Sequence, residues 1–248
     1  MFKCSINEHR IELHRGDALA VLPDLSGPFG AVIMDPPYSS GAATLAGKQA
    51  RTAIKYTNTK RACPLPDFEG DTMDQRSWIR WMTDLLRATR IHCIEGAVLC
   101  AFSDWRQLPS LADAIQRGGW CWRGVAVWDK INSRPQRGRF RQQAEFIAWG
   151  SNGPMSAARG VAVLPGVFSY TQQRRNERHH QTEKPLELMR QIVRICTPGG
   201  AILDPCVGGG STLLAAALEG YDSVGIEISD TYYQVAAHRL HEAAEGRA

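Results

Sequence analysis

Residues 201–227 read AILDPCVGGGSTLLAAALEGYDSVGIE. Ala201–Asp204 is a short apolar run ending in an acid, as a buried strand would be. A glycine turn, Gly208-Gly209-Gly210, opens into Ser211–Glu219, which reads as a helix. Asp222–Ile228 reads as a second strand and carries Glu227, 17 residues after Gly210. Strand, glycine turn, helix and strand make a βαβ unit of the nucleotide-binding kind. The glycines let a ligand approach the backbone, the helix N-terminus offers amide donors, and the acid after the second strand accepts from ribose hydroxyls. Three readings remain open for this stretch alone. The turn can be structural. A dinucleotide site would want GxGxxG, which Gly208, Gly210 and Leu213 do not complete. S-adenosylmethionine needs fewer glycines, because it carries a carboxylate and an amine rather than a pyrophosphate.

The same alternation extends along the chain. Ile11–Asp17, Phe29–Asp35, Gly96–Phe102, Cys121–Lys130 and Gln143–Gly150 read as strands. Ser77–Ile94, Leu108–Arg117, Pro185–Cys196 and Asp230–Ala244 read as helices, with Pro185 suited to a first turn. Strands alternating with helices imply an α/β fold whose mostly parallel sheet is covered on both faces. Residues 39–72 and 151–180 stand outside the pattern, and irregular segments this long are usually functional or disordered. The 248 residues are expected to form one catalytic domain.

Composition sets limits. The chain is 44% hydrophobic and 22% charged with net charge +4, ordinary for a globular protein. Its basic residues cluster. RPQRGRFR (Arg134–Arg141) holds four arginines and no acid, and RRNERHH covers Arg174–His180. Such runs suit phosphate backbones, although a solvated loop can look the same. The seven cysteines contain no CxxC pair, so a zinc site is not expected. The first residues lack a signal-peptide core, and no stretch approaches the roughly 20 apolar residues of a membrane span. A cytoplasmic location is the expectation.

After the apolar run Phe29–Met34 comes DPPY, Asp35–Tyr38. Two prolines stop a strand and hold the corner rigid. Ligands of open α/β sheets bind beyond the carboxyl ends of strands, where strand order reverses. If the strands ending at Asp35 and Asp204 are neighbours, the corner faces the cofactor turn. An exocyclic amine on adenine or cytosine is a poor nucleophile, because its lone pair is delocalised into the ring. A carboxylate at Asp35 can accept one amine hydrogen, and a carbonyl held by Pro36-Pro37 the other. The ring of Tyr38 can stack on a base taken out of the duplex, worth roughly 1–3 kcal/mol against the cost of unstacking.

These motifs, in this order, resemble the β-class DNA amino-methyltransferases, whose [DNS]PP[YFW] corner precedes the cofactor loop. DPPY stands at 35–38 and DPCVGGGST at 204–212; HQTEKPLELM (His180–Met189), the middle strands Trp128–Gly150 and HRGDALAVLPDL (His14–Leu25) also match. The resemblance covers most of the chain. It implies a Rossmann-like S-adenosylmethionine-dependent fold with a seven-stranded sheet in permuted order. It assigns Asp35, Pro36, Pro37 and Tyr38 to the target amine and base. Asp204, Pro205, Gly208, Gly210, Ser211 and Thr212 would line the methionine part of the cofactor, Glu227 its ribose and Asp17 its adenine. Thr182 and Lys184 would close that pocket from the other side. Asp17 also suits a helix cap, and Lys184 a surface position. Arg134, Arg137, Arg139 and Arg141, with Arg174, Arg175 and Arg178, would contact DNA phosphates, and residues 39–72 would fold over the target base.

The expected reaction is methyl transfer from S-adenosylmethionine to the N6 amine of adenine in double-stranded DNA. Cytosine N4 is the alternative acceptor. No metal or membrane is expected, and homodimers occur among relatives. Two features depart from the family pattern: Cys206-Val207 replaces the usual aromatic before the glycines, and only about thirty residues separate Gly150 from the HQTEKP segment. RNA or protein-glutamine methylation, or a catalytically silent DNA-binding role, are more distant alternatives.

Overall fold

Six consecutive buried apolar residues, Phe29–Met34, form strand β3 near the middle of the sheet. A strand covered on both faces needs apolar side chains at every position, because successive residues point to opposite sides. Val32 and Met34 pack on one face with Trp78, Met82 and Leu111. Ala31 and Ile33 pack on the other with Leu188, Ile192 and Ala215. The computed structural model describes residues 1–39, 73–135, 137–172 and 183–246.

The other strands are β1 (Phe2–Ile6), β2 (His9–Arg15), β4 (Cys93–Ser103), β5 (Cys121–Asp129), β6 (Ala144–Ser151), β7 (Val167–Ser169), β8 (Ile202–Asp204) and β9 (Ser223–Glu227). Their order across the sheet is β1-β2-β9-β8-β3-β4-β6-β5-β7. Pairing is parallel from β2 through β9, β8 and β3 to β4, antiparallel where β6 meets β4 and β5, and parallel again at β7. The sequence reading expects seven strands; among the described residues the sheet has nine. The seven expected strands are its interior, and β1 and β7 extend its two edges.

β1 lies outside the expected strands although FKCSI alternates apolar and polar residues, because it has only five residues and because the hairpin to β2 turns on Asn7-Glu8 rather than on a glycine. Both residues lie at positive φ, 50° and 71°, as a type I′ turn requires. β7 has three residues, too few to show a period.

The helices are α1 (Ala18–Val21), α2 (Gln75–Arg90), α3 (Leu108–Arg117), α4 (Leu186–Val193), α5 (Ser211–Leu218) and α6 (Asp230–Ala244). Helices α3 and α6 match the sequence reading. Helix α2 starts two residues before the expected Ser77, because Asp74 caps it by accepting from the Arg76 and Ser77 amides. It ends at Arg90 rather than Ile94: Ile91 and His92 form a turn, and β4 begins at Cys93. Among the described residues no helix is long and apolar enough to cross a membrane.

Helix α5 packs unusually close to β9. A Cβ on Gly225 would lie 2.4 Å from Val207 Cγ2 and 2.8 Å from Leu213 Cδ1. Only hydrogen fits there, so Gly225 lets the turn and the first residues of α5 lie against the strand.

Candidate active site

Strands β3 and β8 are hydrogen-bonded neighbours, with Ala31 opposite Ile202 and Val32 opposite Leu203. Asp35 follows the end of β3, and Asp204 ends β8. The chain runs outward from β8 to β9 on one side and from β3 to β4 on the other. The two motifs therefore flank the point where strand order reverses, which is where open α/β sheets bind ligands.

On the β8 side, the turn depends on its glycines. Gly208 has φ 54° and Gly210 has φ 84°, a region costly for residues with a Cβ. Gly210 caps α5, leaving the first amides of that helix facing the turn. Glu227 reaches back from β9: its Oε2 accepts from the Gly208 amide at 2.7 Å and its Oε1 from the Ser229 amide at 2.8 Å. Asp204 is 1% exposed, and its Oδ1 accepts from the Cys206 amide at 2.9 Å. Burial pushes its carboxyl up to about 7, against the opposing pull of the Thr212 hydroxyl and the Cys206 amide. No cationic side chain among the described residues pairs with it. A buried carboxylate of this kind fits a cationic ligand group, and the turn fits a ligand close to the backbone.

Four expected site acids converge on one thiol. Burial first, then the charges of Asp204, Glu227, Asp35 and Asp17, raise Cys206 well above the usual thiol range. The acids come from the ends of β8, β9, β3 and β2, so the sheet's carboxyl edge gathers residues that are far apart in sequence. Asp17 itself is exposed and caps α1, its Oδ1 accepting from the Leu19 amide at 2.8 Å.

Ser211, expected along the methionine part of the cofactor, takes part in a buried cluster. A buried ion pair joins Arg239 of α6 to Glu183 at 2.6 Å. Arg239 also donates to the Gly209 carbonyl at 2.9 Å and to Ser211 Oγ at 3.0 Å, and Ser211 Oγ lies 3.3 Å from Glu183 Oε1. The serine thus helps to brace the turn.

On the β3 side, DPPY forms the expected corner. The Pro37 carbonyl accepts from the Trp78 indole N–H at 2.7 Å, which anchors the corner to α2. The Tyr38 hydroxyl lies 2.7 Å from Asp35 Oδ1 and 2.8 Å from Glu145 Oε1. Lys184 is also found here, 2.5 Å from Asp35 Oδ2 and 3.0 Å from Glu145 Oε1. The sequence reading places Lys184 along the cofactor pocket; its ammonium engages the DPPY corner, 5.0 Å above the Phe102 ring. Lys130 completes the group, 3.0 Å from Glu145 Oε2.

The charges interlock. Burial raises Asp35 above the usual carboxylate range; Lys184 opposes this and Glu145 adds to it. Burial also works against Glu145, but Lys184 and Lys130 outweigh it and hold that carboxyl at about 2. Lys184 is raised, since Asp35 and Glu145 overcome its desolvation. Two carboxylates and two ammonium groups thus balance.

Arg134, Arg137, Arg139 and Arg141 are exposed on the loop between β5 and β6. Its base is closed by the Lys130 amide, which donates to the Gln143 carbonyl at 2.8 Å. Trp105 donates to Gln142 at 3.1 Å, and Arg106 lies 5.0 Å over the Trp105 ring. Phe140 in this loop is 95% exposed. Arg174, Arg175, Arg178 and Thr182, and all but Ser39 of residues 39–72, lie outside the described residues.

Sequence reasoning missed Glu145, Lys130, Glu183, Arg239 and the anchoring role of Trp78. For Glu145 there was a signal. In AEFIAWGS the acid shares a face with Ile147, an inward position that a carboxylate occupies only with partners.

Comparison with known proteins follows the same lines. A family model described as "DNA methylase" (N6_N4_Mtase) matches residues 161–238. The chain is 24% identical to the putative methylase YubD of Escherichia coli K12, covering 91% of this chain and 88% of that protein. It is 24% identical to the type II methyltransferase M2.DpnII of Streptococcus pneumoniae, covering 99% and 95%. Among solved structures, the M1.HpyAVI–SAM complex superposes with a TM-score of 0.67 at 21% identity, over 93% of this chain and 98% of that one. The cytosine-N4-specific PvuII DNA methyltransferase superposes with a TM-score of 0.67 at 12% identity, over 99% and 95%. The structural likenesses establish the methyltransferase fold.

Proposed function

We propose that this chain, a DNA amino-methyltransferase family member, transfers a methyl group from S-adenosylmethionine to the exocyclic N6 amine of adenine in double-stranded DNA. One observation carries the reading: the DPPY corner and the glycine turn end adjacent strands, at the point where strand order reverses. A type II relative covering nearly the whole chain and a matching family model support the same class of enzyme.

Gly208, Gly210 and Thr212 would receive the cofactor's methionine part beside Asp204, and Glu227 its ribose. Asp204 fits this assignment because its buried carboxylate lacks a cationic partner among the described side chains, and the cofactor carries an ammonium and a sulfonium. When bound, the cofactor supplies an electrophilic methyl group. The chain's residues supply the rest. Asp35 accepts a hydrogen bond from the target amine, which pushes the lone pair toward nitrogen. With the Pro37 carbonyl occupied by Trp78, the Pro36 carbonyl accepts the second hydrogen. Nitrogen becomes cationic as its bond to carbon forms, and the Asp35 carboxylate stabilises that charge until a proton leaves. Tyr38 offers its ring to the base, with its hydroxyl already fixed by Asp35 and Glu145.

Cytosine N4 is the second reading, since a like fold serves the cytosine-N4-specific PvuII enzyme. Adenine is favoured because the DPPY form of the corner is more typical of the adenine enzymes in the family this chain resembles. Nucleoside analysis by mass spectrometry separates them. Unmethylated duplex DNA of mixed sequence, incubated with the protein and labelled S-adenosylmethionine, should yield N6-methyladenine. N4-methylcytosine would replace the acceptor, and no methylated base would overturn the function.

A further inference from the structure

Glu145 is a buried carboxylate that none of the sequence motifs assigns to the site, yet both its oxygens serve it. Oε2 takes the Lys130 ammonium at 3.0 Å. Oε1 faces the catalytic corner, 3.0 Å from Lys184 Nζ and 2.8 Å from the Tyr38 hydroxyl. Those two groups are also the partners of Asp35: Lys184 meets its Oδ2 and Tyr38 its Oδ1. Asp35, Tyr38, Glu145 and Lys184 form a closed ring drawn from the corner after β3, from β6 and from the segment before α4.

We infer that Glu145 is the positioning residue of the catalytic corner, holding the Lys184 ammonium and the Tyr38 hydroxyl in place against Asp35 before a base arrives. A plain counter-ion for Lys130 would need one oxygen on that lysine and no aim toward the corner; the second oxygen engages the corner twice. Sharing has a chemical consequence. A lysine paired only with Asp35 would compete with the incoming amine for the same carboxylate. A lysine divided between two carboxylates leaves Asp35 able to accept another donor, while the ring keeps its oxygens oriented. Lys130 behind Glu145 keeps the group electrically balanced, which a buried cluster requires.

The purpose of the ring rests on the methyl-transfer reading; its existence does not, and two measurements separate them. The first is a carbon-13 NMR titration of the Asp35 side-chain carboxyl in the unliganded protein. The charged and titratable groups facing Asp35 are Lys184, Glu145, Tyr38, Asp204 and the Cys206 thiol. Glu145 is the nearer anion, and an anion raises a neighbouring carboxyl. Glu145→Gln is therefore expected to move the Asp35 midpoint to lower pH. Glu145→Asp keeps the charge and shortens the reach, so it should leave that midpoint near the wild type. The second measurement is methyl transfer under saturating cofactor. Both variants should lose about tenfold or more in kcat, as displaced catalytic groups do, with KM for the cofactor changed by less than about twofold. The acid limb of the kcat profile should move down in Glu145→Gln alone. An unmoved Asp35 midpoint in Glu145→Gln, or full activity in Glu145→Asp, overturns the inference. Failure of the wild type to methylate any DNA would count against the proposed function, and the titration would still decide the ring.

Discussion

Asp204 and Asp35 are both carboxylates at strand ends on one sheet edge, but their surroundings give them different work. Asp35 has an ammonium beside it and keeps 24% side-chain exposure. Asp204 is closed in with one amide donor, one hydroxyl donor and, among the described residues, no cation, and burial pushes it up to about 7. An unfolded chain ionises this carboxyl near pH 4. From there to about pH 7 the folded protein alone holds the proton, so stability falls as pH rises through that window. Asp204→Asn should therefore raise the thermal midpoint at pH 8, where the relief is on the order of 2–4 kcal/mol, and leave it unchanged near pH 4. Melting curves at the two pH values check this. The same variant should bind S-adenosylmethionine about tenfold or more weakly, since the acid is placed to meet a cation. The DPPY corner was legible at this scale because its four residues are consecutive. The Glu145–Lys184 pairing was not, because the two stand far apart in sequence and nothing between them signals that β6 and the start of α4 meet.

At the scale of elements, the glycine turn and its two strands were legible because strand, turn and helix signals adjoin one another. The mutual fit of the pieces was not. Gly225 reads as an ordinary strand glycine, yet its hydrogen is what lets Val207 and Leu213 lie against β9. Gly225→Ala should cost about 1–3 kcal/mol by overpacking. Because Val207 adjoins Gly208, it should also weaken cofactor binding; denaturant titration and calorimetry would read the two effects. The loop between β5 and β6 is a second case. Its arginines were visible as a basic run, and the structure adds that the loop springs from Lys130, which pairs with Glu145 in the catalytic corner. Replacing Arg134, Arg137, Arg139 and Arg141 together by Gln should weaken DNA binding uniformly across sequences. The slope of affinity against salt should shrink by about one for each phosphate that is no longer neutralised. Unchanged affinity and slope would remove this loop from the interface.

Across the whole molecule, motifs far apart along the chain become neighbours in the sheet. The corner comes early and the glycine turn late, but β3 and β8 lie side by side at the centre. Alternating strand and helix signals gave the fold class, and the two edge strands were missed because both are short: β1 joins through a hairpin with no glycine at its turn, and the three residues of β7 pair with β5 across a long stretch of chain. The Glu183–Lys184 dipeptide connects the two halves of the site. One side chain meets Arg239 beside the glycine turn and the next meets Asp35. Lys184 precedes Pro185, which favours extended backbone, and there successive side chains point to opposite sides, so one short segment can serve both.

The central claim is that these halves form one active centre, in which Asp35 acts on the acceptor amine and the glycine turn holds the methyl donor. Comparing wild type with Asp35→Ala, by S-adenosylmethionine calorimetry and single-turnover methyl transfer to DNA, tests it most directly. Cofactor affinity within about threefold of wild type, with transfer reduced by at least about 100-fold, is the expected result. Transfer that survives in Asp35→Ala would contradict the account.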